Sequence, residues 1–89
     1  MRKDEVEMSE FLDSLKAPQS RRIIEYLVEK NLKLDALSKK TKLSVASIEL
    51  HVKPLLHSGL VTLNSKKEYR INKSKFERCL AWFTSIANV

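Results

Sequence analysis

LDALSKKTKLSVASIELHVKPLLHSGLV, residues 34–61, reads as two short helices joined by a tight turn. Leu34, Leu37 and Thr41 fall at spacings of three and four, one face of a helix. Leu43 closes a turn. Ser44 then starts a second helix, because its hydroxyl can accept the unpaired N–H groups of the first turn. Ile48, Val52, Leu55 and Leu56 follow at i, i+4, i+7 and i+8, a stripe wide enough to pack on a core. Gly59, the only glycine in the chain, stands where a left-handed residue ends that helix cheaply. Pro54 removes one hydrogen bond inside it and makes the turn at Leu50 a place for a bend.

The rest of the chain is read outward from this pair. Residues 4–16 form a first helix, with acids Asp4, Glu5 and Glu7 early, Lys16 late, and Met8, Phe11, Leu12 and Leu15 as its apolar stripe. Ala17-Pro18 ends it and opens a second helix to about residue 30, with Ile23, Ile24, Leu27 and Val28 facing in. Asn31 and Leu32 form a link. After Gly59 the periodicity changes to two. Val61 and Leu63 share a face with Tyr69 and Ile71 across the polar turn Asn64-Ser65-Lys66-Lys67, a short hairpin. Ser74 to Glu77 is a capping box announcing a last helix, 74–88.

That last helix carries two apolar stripes: Phe76, Leu80, Phe83 and Ala87, and Cys79, Trp82 and Ile86. Together they span roughly 160°, more than the ~100° a surface helix needs for its own core. One stripe is expected on the domain and the other on a second copy, because a chain of 89 residues has little else to cover it with. Met8, Phe11, Leu12, Leu15, Cys79, Trp82, Phe83 and Ile86 are the expected dimer-interface residues.

The order helix, helix, helix, helix, hairpin, helix is a mostly α fold with a small β-hairpin wing (α+β), a winged helix-turn-helix in one domain over residues 1–89. The helix-turn-helix covers about 34–59 and the wing about 60–72. The composition, 43% apolar and 31% charged, is that of a soluble globular chain. No apolar run nears the ~18 residues of a membrane span, and no secretory leader is recognisable. A single cysteine allows no intrachain disulfide and no multi-cysteine zinc site. A cytoplasmic, nucleoid-associated location is the expectation.

The net charge of +6 is unevenly placed: residues 1–30 carry 6 Lys/Arg against 7 Asp/Glu, residues 31–89 carry 11 against 4. A basic face over a helix-turn-helix suits a polyanion. Taking the core direction of the second helix of the pair from its stripe, Ala46, Ser47, Leu50, Lys53 and His57 point away. The early members of that set can reach base edges in a major groove, Ser47 by hydrogen bonding, Ala46 and Leu50 against a thymine methyl. No arginine, asparagine or glutamine stands there for a bidentate base contact, so phosphate contacts are expected to dominate. The expected DNA-binding set is Lys39, Lys40, Lys42, Ser44, Ala46, Ser47, Leu50, His51 and Lys53, with Lys66, Lys67 and Arg70 on the wing. Glu49, on the flank, argues the other way: phosphates repel it unless it accepts from a cytosine amino group or orients a lysine. Leu50 also reads as an anchor for a protein partner.

PQSRRIIEYL together with LDALSKKTKLSVASIELHVKPLLHSGLV resembles the arsenical-resistance-repressor (ArsR) family of winged-helix transcription regulators. Pro18, Arg21, Ile23, Leu37, Thr41, Leu43, Ser44, Ile48, His51, Lys53, Leu55 and Gly59-Leu60-Val61 stand at the matching places, and the likeness covers about residues 9–71. The resemblance implies a homodimer that binds double-stranded DNA and regulates transcription. It departs from the family pattern at Lys42, where a glycine is common, and at Pro54. The family's metal sensors carry paired cysteines or His/Asp sets that this chain lacks, so neither metal nor cofactor is expected. His51 and His57, six apart on a helix, do not converge on one ion. Cys79 reads as a small apolar side chain rather than a redox thiol. No glycine-rich loop, nucleophile elbow or paired-carboxylate constellation points to an enzyme. The runner-up is a winged-helix module that reads a protein instead of DNA.

Overall fold

The computed structural model describes residues 3–87. The elements run α1 (Lys3–Ser14), α2 (Pro18–Glu29), β1 (Leu32–Lys33), α3 (Leu34–Thr41), α4 (Val45–Ser58), β2 (Val61–Leu63), β3 (Glu68–Ile71) and α5 (Lys73–Ala87). This is a mostly helical fold with a small antiparallel sheet, a winged helix-turn-helix.

The helix pair is built from its punctuation. The Ser47 N–H donates to Ser44 Oγ at 3.1 Å, so Ser44 caps α4. Gly59 is left-handed, φ 82°, and its N–H closes on the Leu56 carbonyl. Pro54 is exposed and α4 continues through it, although the Leu50 carbonyl loses its helical donor there. In the turn, Lys42 is left-handed at φ 63° and its N–H donates to the Ser38 carbonyl at 2.9 Å. Thr41 is fully buried. Its hydroxyl donates to the Leu37 carbonyl and accepts the Leu43 N–H, while Ser38 Oγ donates to the Leu43 carbonyl. These bonds fix the angle at which α3 presents α4.

The core lies where α2, α3 and α4 meet the sheet. Ile23, Leu37, Ile48, Leu55, Leu60 and Val61 are fully enclosed, each contributing about 1.5–3 kcal/mol by burial. Phe11 of α1 and Phe76 of α5 close one side, edge to face with centroids 6.0 Å apart.

Several expectations need correction. The link after α2 contains a strand: Leu32 pairs with Tyr69 and Lys33 with Glu68, so the sheet has three strands in the order β1-β3-β2. Helix α1 stops at Ser14, and Leu15 and Lys16 continue only as tighter i−3 turns. Val28 is exposed, since α2 ends one residue later and its last turn overhangs the core. The cap of α5 is Asn72, not Ser74: Asn72 Oδ1 accepts from the Lys75 N–H, and Ser74 Oγ donates to the same oxygen. The hairpin matches its expected register, Val61 opposite Ile71 and Leu63 opposite Tyr69. Asn64 makes its turn, accepting the Lys66 and Glu68 N–H groups on its side-chain oxygen.

Candidate nucleic-acid interface

The outward edge of α4 is open. Ala46, Leu50, Lys53 and His57 are exposed and Ser47 is half-buried, while Ile48, Val52 and Leu55 are buried behind them. Leu50 is 68% exposed, a large apolar side chain standing in solvent. His51 is half-buried and its Nδ1 lies 2.8 Å from the Ser47 carbonyl. When Nδ1 carries the proton it donates there, which leaves Nε2 as the atom available to a ligand.

Lys39, Lys40 and Lys42, from the end of α3 and the turn that leads into α4, are all exposed. Lys40 is steadied by Tyr26 of α2. The Tyr26 hydroxyl donates to the Lys40 carbonyl, and the Lys40 ammonium lies 5.8 Å from the ring centroid. On the wing, Lys66 and Lys67 occupy the tip and Arg70 the face of β3, all exposed. Arg70 Nε donates to Thr62 Oγ1, which fixes the guanidinium across the hairpin. Ser44 is exposed, but its oxygen already caps α4. Of the expected residues, Lys39, Lys40, Lys42, Ala46, Leu50, Lys53, Lys66, Lys67 and Arg70 are exposed, Ser47 and His51 are half-buried, and Ser44 is engaged in capping.

Two features were not foreseen. A shallow groove runs between α4 and the sheet, lined by Ala46, Glu49, Leu50, Lys53 and Tyr69. Burial pushes the Tyr69 phenol above its usual range, and the nearby Glu49 carboxylate pushes it further. The second is Lys75, which is buried and donates from Nζ to the Ser58 carbonyl at the end of α4. A cation there also complements the negative end of the helix dipole. In sequence both look ordinary: a strand tyrosine and one lysine among many.

The apolar face of α1 and α5 divides. Met8, Phe11 and Cys79 are enclosed in the protomer's own core, so they cannot present side chains to a partner as expected. Leu15 is half-buried against that core. Leu12, Trp82 and Phe83 are 37%, 41% and 47% exposed, and Val6 and Leu80 are exposed as well. The side chain of Ile86 lies outside the described residues. Among the described residues, no group of three or more His, Cys, Asp or Glu is placed to hold a metal ion. No helix among them is long and apolar enough to cross a membrane.

Comparison with protein-family models and with curated sequences finds no match. Solved structures do match in fold. An ArsR family transcriptional regulator aligns at 19% identity over 99% of this chain and 94% of its own, TM-score 0.77. NolR from Sinorhizobium fredii aligns at 23% identity over 93% and 87%, TM-score 0.73. The homodimeric winged helix-turn-helix DNA-binding domain of Mb0332 from Mycobacterium bovis aligns at 15% over 99% and 88%, TM-score 0.70. The last is described as a winged helix-turn-helix domain, and the same fold is present here.

Proposed function

We propose that the chain is a DNA-binding transcription regulator that acts as a homodimer, with α4 in the major groove and the wing on the backbone. The observation that carries this reading is the open edge of α4, together with the exposed Lys39, Lys40 and Lys42 before it, Lys53 on it, and Lys66, Lys67 and Arg70 on the wing. Phosphates supply most of the affinity, because the edge offers Ser47, Ala46 and Leu50 but no bidentate base reader. The fold is shared with transcription regulators, one of them described as a homodimeric DNA-binding domain. Pairing through the exposed Leu12, Trp82 and Phe83 would place two copies of α4 on one duplex, in half-sites about 34 Å apart.

Binding to a generic duplex, followed against salt, tests this. A dimer making ~6–10 phosphate contacts loses about 10³–10⁵-fold in affinity between roughly 50 and 200 mM salt. Replacing Lys66 and Lys67 by Ala lowers both affinity and salt slope. Salt-insensitive binding, or none, refutes the reading. A second reading, a module that docks on a protein, is favoured by Leu50, whose exposure suits an apolar pocket on a partner. It calls for a Leu50→Ala variant that loses the partner and leaves the salt titration unchanged.

A further inference from the structure

Helix α4 carries a single acid, Glu49, exposed beside Leu50 and one turn before Lys53. The side chain is exposed on the wing-side flank, in the groove it shares with Ala46, Leu50, Lys53 and Tyr69. Lys53 lies one turn further on, yet Glu49 makes no salt bridge among the described residues. Its charge is felt instead by Tyr69 across the groove. A carboxylate so placed has no visible structural task, and duplex phosphates would repel it.

Base-edge chemistry narrows what can offset that repulsion. An ionised carboxylate only accepts hydrogen bonds. In the major groove guanine and thymine offer acceptors, which it rejects; adenine offers the N6 donor with the N7 acceptor beside it; cytosine offers the N4 donor with no acceptor alongside. Cytosine is therefore the base that a carboxylate prefers. The neighbouring Leu50, with Ala46 one turn before it, supplies an apolar surface for a thymine methyl at an adjacent pair.

We propose that Glu49 is a specificity-determining residue that selects a cytosine, through its N4 amino group, in each half-site of the DNA. This rests on the DNA-binding reading above and adds a sequence preference to it. Repulsion from the backbone makes the selection sharper, since duplexes without the donor meet an uncompensated negative charge.

The test is selection from random duplexes with the full chain, the native form beside Glu49→Gln and Glu49→Ala, together with the salt titration on generic duplex. The native chain should return a fixed cytosine in each half-site. Glu49→Gln should move that position toward adenine, whose N6 and N7 an amide pairs with, and reduce the cytosine preference by about tenfold. Glu49→Ala should erase the preference at that position alone and strengthen binding to generic duplex. Since the side chain is exposed, thermal midpoints of both variants should stay near the native one. Salt-sensitive binding with the same base preferences in all three forms overturns this inference and leaves the proposed function standing. A native chain without salt-sensitive duplex binding overturns both.

Discussion

Lys42 couples strain to charge at one position, and the two can be separated. Its backbone is left-handed, φ 63° and ψ 23°, at the end of α3, where its N–H closes on the Ser38 carbonyl. For a residue with a Cβ this conformation costs about 1–2 kcal/mol. A glycine there escapes the steric cost but loses about 0.5–1 kcal/mol through the greater freedom of its unfolded chain. Lys42→Gly is therefore expected to stabilise the fold by about 0.5–1 kcal/mol. With an unfolding entropy of ~2.1 cal/mol/K per residue, an 89-residue chain gains roughly 3–5 °C in midpoint. Lys42→Ala keeps the strain and removes only the ammonium, so its midpoint should stay within about 1–2 °C of the native one.

The charge has the opposite signature. Both substitutions remove one candidate phosphate contact per protomer, and each lost contact lowers the salt slope of log affinity by about 0.9. For a dimer the slope falls by nearly 2 in the glycine and alanine forms alike. Calorimetry or circular-dichroism melts and a salt-titrated binding assay on the same three proteins read the two effects apart. If Lys42→Gly melts no higher than Lys42→Ala, the turn is not strained as described. If the glycine and alanine forms differ in salt slope, the side-chain charge is not what DNA feels there.

Other consequences are equally direct. Lys75→Met removes the charged donor from the Ser58 carbonyl and should lower stability by about 1.5–3 kcal/mol, read as a denaturant midpoint shift at unchanged m-value. Tyr69 has a folded pKa above its unfolded value near 10, so its contribution to stability is complete below about pH 10 and fades as pH rises further. Tyr69→Phe should remove that alkaline decline, and Glu49→Gln should bring the phenolate band of Tyr69 to lower pH without abolishing the shift, since burial is the larger cause. Trp82→Ala with Phe83→Ala should weaken self-association at least ~30-fold in sedimentation, about 2 kcal/mol, with a small change in protomer fold because both rings are half-exposed.

The parts of the fold legible in sequence are those fixed by local chemistry. Ser44 and Gly59 bracket α4 because each satisfies backbone groups within four residues of itself. The wing register follows from alternation and from Asn64, whose side chain bonds only inside its own turn. Elements defined by distant partners were not legible. Strand β1 has two residues, too few for any periodicity, and exists only through Tyr69 and Glu68 on β3. The Asn72 cap was hidden by a better-looking capping box two residues later. In the expected interface set, Met8, Phe11 and Cys79 turn into the protomer's own core while Leu12, Trp82 and Phe83 stay exposed. Which members turn inward depends on how α1 and α5 pack on each other, as at Phe11 and Phe76, and no spacing encodes that. The outward edge of α4 was readable because it is the complement of the core stripe. Lys75 and the Tyr69 groove were not, since both arise where α4 meets an element that follows it in the chain.

That meeting point joins the two faces that the proposed function uses. The Asn72 N–H donates to the Leu60 carbonyl at 2.8 Å, and Lys75 reaches the Ser58 carbonyl, so the first turn of α5 is bonded on both sides of Gly59. A Cβ added at Gly59 would meet Lys75 Nζ at 3.8 Å, an ordinary contact, so space is not what requires glycine there; the positive φ is. The helix bearing Trp82 and Phe83 is thus fastened at its start to the last turn of the helix bearing Leu50 and Glu49. The Ser44 cap and the Thr41 turn hold the other end, so α4 is fixed between two hydrogen-bonded anchors with its exposed edge between them.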